Sequence, residues 1–220
     1  GVNGTDINVA GATNASFDNT TTGRALNASS LTGNLVAEQT NNLLTVTGGS
    51  GNDVITSDTT VATHVVNAGA GNDRVDLGAA FAGTASGGIG ADELDVTGAV
   101  DISAATISGF EIVDINNNNV TIDEAVVNNQ AVVIQSSGGG AETLTVNNIT
   151  TSTDLTNLSF SDAFVTVDVD FANNNDAALG TGAAIAVTGS SAADVIVGGS
   201  GADTLLGAGG ADSITGGDGA

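Results

Sequence analysis

The strongest constraint on this chain is a nine-residue beat at its C-terminal end. Gly189–Val197, Gly198–Leu206 and Gly207–Thr215 are three successive units of one pattern, and a fourth opens at Gly216. Asp194, Asp203 and Asp212 fall nine residues apart, each at the sixth place of its unit. Glycine favours the first, second and fourth places, where it permits positive φ, so that six residues can turn tightly with their carbonyl oxygens exposed. The last three residues form a very short strand with one apolar side chain facing inward. Two units make one full turn, which stacks residues eighteen apart: Asp194 with Asp212 on one edge, Asp203 on the other. The array is expected to run on past Ala220.

The same pattern appears earlier with a longer period. Leu43–Thr47 reads as a strand and runs into Gly48-Gly49-Ser50-Gly51-Asn52-Asp53. Ala68-Gly69-Ala70-Gly71-Asn72-Asp73 and Gly87-Gly88-Ile89-Gly90-Ala91-Asp92 follow, with their aspartates 20 and then 19 residues on. That is one complete solenoid turn, so the spacing predicts a column of such turns on one edge, with irregular returns such as Ser57–Val66 opposite. The beat persists in apolar residues at Val96, Ile115 and Ile134, then at Val146, Val167, Val187 and Leu205. Asn-rich corners such as Asn116–Asn119 lie between, and Asn tolerates the left-handed backbone that corners require.

The unit G-G-x-G-x-D-x-U-x is a β-solenoid repeat suited to calcium, which takes ~6 to 8 oxygen ligands at flexible geometry. Stacked carbonyls plus Asp supply such a set. Candidate ligands are Gly48, Ser50, Gly51 and Asp53 in the first early turn; Ala68, Ala70, Gly71 and Asp73 in the second; Gly87, Ile89, Gly90 and Asp92 in the third. In the C-terminal array they are Asp194, then Gly198, Ser200, Gly201 and Asp203, then Gly207, Gly209, Gly210 and Asp212. Ser190 and Ala192 replace glycines in the first of these units, so Asp194 is expected to hold a weak or empty site.

Charge narrows the partners. Twenty-five acidic residues face only Arg24 and Arg74, for a formal net charge of −23. Nucleic acid requires a basic footprint, and nothing here favours anionic membranes. Such self-repulsion suggests that divalent cations belong to the folded state. Cysteine is absent, so calcium is the available staple. Six Phe are the whole aromatic content, which suits a narrow solenoid filled by Val, Ile, Leu, Ala and Thr. No apolar run approaches the ~18 residues of a membrane span, and Gly1 opens the chain without an export-signal pattern, so the sequence is expected to begin inside a larger protein or after processing.

The sequence lacks the familiar catalytic sets. His64 is the sole histidine, which excludes a zinc-protease helix, and no G-x-S-x-G occurs. His64 is expected at a strand edge. Asp168 and Asp170 alternate with valines and pair two carboxylates in the manner of a polysaccharide lyase or glycosidase, but no basic partner lies nearby in sequence, so they read as a solvated or lattice-contact face. Arg74 is expected to make a local ion pair with Asp73 or Asp76.

The repeats resemble the RTX family, and Ile107-Ser108-Gly109-Phe110-Glu111 resembles a strand entry of RTX-type bacterial surface-layer proteins. That resemblance implies export by a type I system, self-assembly into a lattice on the cell surface, and calcium as the assembly trigger. A glycan anchor through other regions would fit it. The expected fold is all-β: a right-handed parallel β-solenoid, or β-roll, with calcium-binding turns. Residues 1–43 read as a β-rich segment, 44–187 as an irregular solenoid with calcium turns at 48–95, and 188–220 as a regular β-roll. The expected role is structural and non-enzymatic, in a secreted surface-layer protein binding several calcium ions. The alternatives are an adhesin or matrix protein, and the calcium module of a larger secreted enzyme.

Overall fold

The computed structural model describes residues 6–19, 25–39, 45–57, 62–78, 81–98, 100–116, 118–127, 130–136, 141–147, 159–160, 166–170, 186–188, 193–199 and 204–217. The chain is all-β, and its paired strands are parallel, forming a β-solenoid. Among the described residues the only helix is one 3₁₀ turn, Glu124–Val126, capped by the Asp123 side chain. Two compact units are present, Gly1–Thr97 with Ala104–Ile112, and Gly98–Ser103 with Val113–Ala220.

In the first unit each turn contributes one strand to each of two ladders. The strands are β1 (Ile7–Gly11) and β2 (Ala15–Asn19), β3 (Ala25–Leu31) and β4 (Leu35–Gln39), β5 (Thr45–Thr47) and β6 (Val54–Ser57), β7 (Val65–Ala70) and β8 (Arg74–Leu77), and β9 (Thr84–Ile89) and β10 (Glu93–Val96). After β11 (Val100–Asp101), which belongs to the second unit, β12 (Thr106–Ser108) returns to pair with β9. Residues 7–39 thus supply two turns continuous with those that carry the aspartates.

Register explains the core. On one ladder Leu26, Val46, Val66, Ala85 and Ile107 stack, and on the other Ala37, Ile55, Val75 and Leu94 do. All are buried. Alternation sends every second side chain inward, and burying each larger aliphatic contributes about 1.5–3 kcal/mol. A one-residue slip would expose a whole ladder face, so the register is fixed by the pattern itself.

The second unit holds all but the first residue of β13 (Ile112–Asp114), then β14 (Val120–Asp123), β15 (Val133–Gln135), β16 (Ala141–Asn147), β17 (Ser159–Phe160), β18 (Thr166–Asp170), β19 (Ala186–Thr188), β20 (Ala193–Gly199), β21 (Thr204–Leu206) and β22 (Ser213–Gly217). Its longest ladder runs β11-β14-β16-β18-β20-β22, and β19 pairs β21. Here the valine spacing misleads. Val167 pairs Glu142 rather than Val146, and Val187 sits on the separate β19–β21 ladder beside Leu205. The turns differ in length, so equal spacing along the chain does not keep equal register. Asn116 does adopt the left-handed backbone expected of a corner, with φ 46°.

Candidate metal centre

The link between the two ladders of the first unit is the aspartate turn, leading from β5 to β6, β7 to β8 and β9 to β10. Asp53, Asp73 and Asp92 form the expected column, and each is buried, at 1%, 2% and 0% exposure. Their carboxylates tie successive turns together. Leu35 N–H donates to Asp53 Oδ1 (2.7 Å), Asp53 N–H to Asp73 Oδ1 (2.7 Å), and Asp73 N–H to Asp92 Oδ1 (2.8 Å). Beside it runs an asparagine column of opposite sense. Asn34 N–H donates back to Asn14 Oδ1 (3.0 Å), Asn52 to Asn34 (3.1 Å), Asn72 to Asn52 (2.9 Å), and Ala91 to Asn72 (3.1 Å). Adjacent residues therefore bond in opposite directions along the stack, and each turn is clamped to both neighbours.

The glycines serve two distinct purposes. In the second and third turns, the second and fourth places have positive φ: Gly69 114°, Gly71 123°, Gly88 113° and Gly90 156°. The first place has no positive φ, contrary to the expectation that all three glycines were conformational. Gly48 and Gly87 are instead needed for contact, because a Cβ there would collide with the carbonyls of Ala68 and Gly109 respectively. The absence of positive φ is what lets an alanine, Ala68, occupy a first place. Close approach also governs Gly51, Gly71 and Gly90, whose added Cβ would meet the carbonyl of Gly33, Gly51 and Gly71 respectively. Backbone oxygens are thus packed turn over turn along the carboxylate column. At the third places Ser50 and Ile89 are exposed and Ala70 is half-buried, so only their backbone could serve a cation in the turn.

The carboxylates are not equally satisfied. Asp53 Oδ2 accepts from Gly49 N–H (2.7 Å), so both its oxygens are engaged. Asp73 Oδ2 and Asp92 Oδ2 are buried with no hydrogen-bond partner. Burial raises the pKa of all three, opposed in each by the amide bonds it accepts. Asp73 is pushed up to about 6, with Asp53 and Asp92 adding like-charge repulsion. Glu111 adds the same repulsion at Asp92. Buried, unmatched carboxylate oxygens among packed carbonyls form a site that fits a hard divalent cation. Among the described residues, no three His, Cys, Asp or Glu side chains gather at one point. A cation in these turns would therefore draw most of its ligands from the backbone, as the repeat's own logic requires.

The C-terminal array reproduces this turn once in the described residues. Gly207, Gly209 and Gly210 lie between β21 and β22, with Asp212 just before β22. A Cβ on Gly207 would collide with Asp212 Oδ2, as one on Gly48 would meet Asp53 Oδ2 (2.5 Å) and one on Gly87 would meet Asp92 Oδ2 (2.9 Å). Positive φ recurs at the second and fourth places, Ala208 (63°) and Gly210 (124°). The β20–β22 register places Val195 opposite Ser213, in step with the eighteen-residue stack of Asp194 and Asp212. Asp194 and Gly198 fall within β20, while Ser190, Ala192, Ser200, Gly201 and Asp203 lie outside the described residues.

A family model for the RTX calcium-binding nonapeptide repeat matches residues 45–59, 65–81 and 188–220, in four copies. These are RTX repeats. Neither a curated protein nor a solved structure matches the chain. The third RTX-like turn, 87–92, lies outside the matched residues yet repeats the geometry of the second in φ, burial and bonding.

Of two residues near the RTX turns, one sits differently from expectation and the other makes the local ion pair expected of it. His64 is buried rather than at an edge, neither ring nitrogen has a hydrogen-bond partner, and burial lowers its pKa. Arg74 does not pair with Asp73. It reaches Asp76 through Nε (2.7 Å) and Asp95 on the next turn through a terminal nitrogen. Strand alternation turns Asp73 into the column and Asp76 onto the outer face with Arg74. Asp168 and Asp170 lie on β18, in register with Val195 and Val197 of β20.

Proposed function

We propose that this chain is a calcium-ordered structural segment of a secreted surface-layer protein. The observation that supports calcium most directly is the pair of buried oxygens, Asp73 Oδ2 and Asp92 Oδ2, left unmatched within a stack of turn carbonyls. Binding supplies the positive charge these groups lack and links each turn to the next. Asp73 and Asp92 would hold the ion with the carbonyls of their turns, while the asparagine column fixes the spacing between turns. Proteins with such repeats are typically secreted, and among the described residues no helix is long and apolar enough to cross a membrane.

The lattice role is supported by the net charge of −23 and by an architecture of repeated edges. Molecules this acidic repel one another unless cations sit between them, and carboxylates such as Asp168 and Asp170 are candidates for that bridging. The reading is non-enzymatic. Electron microscopy of the purified protein in calcium, in magnesium and in excess sodium chloride tests it. Two-dimensional sheets are expected in calcium alone. Monovalent salt screens charge beyond about 8–10 Å but supplies no oxygen-coordinated bridge. Sheets in all three would defeat the calcium mechanism, and monomers in calcium would move the reading to an adhesin or an enzyme's calcium module.

A further inference from the structure

The aspartate column does not stop at Asp92. Asp92 N–H donates to Glu111 Oε2 (2.8 Å), the same bond that Asp73 N–H makes to Asp92 and Asp53 N–H makes to Asp73. Ile112 N–H returns a bond to the Asp92 carbonyl (3.1 Å), as Glu93 N–H does to Asp73 (2.8 Å), and Glu111 N–H shares that acceptor (3.0 Å). The first place of the turn has an equivalent too. Gly109, with φ 68°, presents its carbonyl against Gly87 as Ala68 does against Gly48. Ser108-Gly109-Phe110-Glu111 is thus a turn of the column without the repeat motif, anchored by Phe110, which is buried.

Why a glutamate stands here follows from chain length. Gly87 reaches Asp92 in five steps, whereas Gly109 reaches Glu111 in two. The shortened turn still brings its backbone onto the Asp92 carbonyl, and the longer glutamate side chain reaches the Asp92 amide. At this level lies Asp92 Oδ2, buried and unpartnered, facing the position where a Cβ of Gly87 would meet both it and the Gly109 carbonyl. We infer that Glu111 and the Gly109 carbonyl complete, with Asp92, a calcium site beyond the one at Asp73, closing the column with a ligand from outside the repeat motif. This rests on the calcium reading of the repeats. Two carboxylates and a carbonyl, completed by other turn carbonyls and water, suit an oxygen-seeking cation of flexible coordination.

The test counts ions on the full chain, by native mass spectrometry and by calcium titration calorimetry, with circular dichroism in saturating calcium confirming strand content. Glu111→Gln keeps an oxygen for the Asp92 amide but loses the charge; it should bind one calcium fewer and remain folded. Glu111→Asp keeps the charge but is too short, and should weaken that site at least about tenfold. Both variants binding the parent's full number of ions at unchanged affinity would overturn the site while leaving the repeat sites standing. So would Glu111→Gln binding like the parent, or failing to fold in saturating calcium, since its amide bond is meant to survive. A parent chain that takes up no calcium overturns this site and the calcium reading together.

Discussion

Asp73→Asn should stabilise the calcium-free protein and weaken the calcium-loaded one. In the folded chain the Asp73 carboxyl is pushed from 3.8 to about 6, a difference corresponding to about 3 kcal/mol against the charged form at neutral pH. The folded state therefore binds more protons than the unfolded state between those values, and stability falls as pH rises through that window. Below about 4 both states are protonated and the cost vanishes. Asparagine is neutral throughout and its oxygen can still accept the Asp53 N–H. Allowing about 1 kcal/mol for the buried amide nitrogen it introduces, the gain at pH 7 is about 2 kcal/mol, or roughly 4–8 °C in Tm for a chain this long. Asp53→Asn should act in the opposite direction, because both Asp53 oxygens accept amide protons and one acceptor would be lost. Strand circular dichroism and thermal melts in chelator, at pH 7 and pH 5, provide the readout. Acidification also acts on His64, whose lowered pKa makes folding less favourable as pH falls below 6.5, so the difference between parent and Asp73→Asn is the quantity to follow. That difference should shrink towards pH 5 and reverse sign in calcium. An Asp73→Asn chain destabilised in chelator at pH 7, to the same degree as Asp53→Asn, would refute the reasoning.

Two further outcomes rest on backbone geometry. Gly90→Ala should cost more than Gly11→Ala, since both positions have positive φ but only the Gly90 Cβ would strike a neighbouring carbonyl, while Gly11 has open space. Strain alone is worth about 1–3 kcal/mol, and urea melts of the two variants in calcium would compare them; equal losses would discount the close approach. Ala208→Gly should stabilise the calcium-loaded chain by about 1–2 kcal/mol by removing an alanine from left-handed backbone, with Tm in saturating calcium as the measure.

The aspartate column was legible because both its features are written in residue identity. The spacing of Asp53, Asp73 and Asp92 sets one side chain per turn, and the glycines mark where turns touch. What could not be read was the cause behind each glycine: φ and contact leave the same letter, and only Ala68 hints that the first place differs. Glu111 escaped because its turn shares neither length nor residue type with the repeat, and only the hydrogen bond from Asp92 reveals the equivalence. The asparagine column was half visible, since Asn14, Asn34, Asn52 and Asn72 keep the period, but its direction depends on which amide each side chain faces. In the second unit the valine beat failed because loops of unequal length separate strands, so position in the sequence and position in the ladder drift apart. His64 had no pattern at all; a lone histidine between a loop and a strand does not declare which face it takes.

The opposed asparagine and aspartate columns give the stack a polarity that matters while it is being built. A turn laid down after its predecessor finds one acceptor waiting, the asparagine behind it, but its aspartate-position amide stays open until the next turn arrives. Every partial assembly growing from the N-terminal side therefore ends on an unsatisfied donor. Order gained at one turn recruits the next rather than halting there, as in any chain of nearest-neighbour contacts. Leu35, which gives its amide to Asp53 but brings no carboxylate of its own, marks where this relay starts.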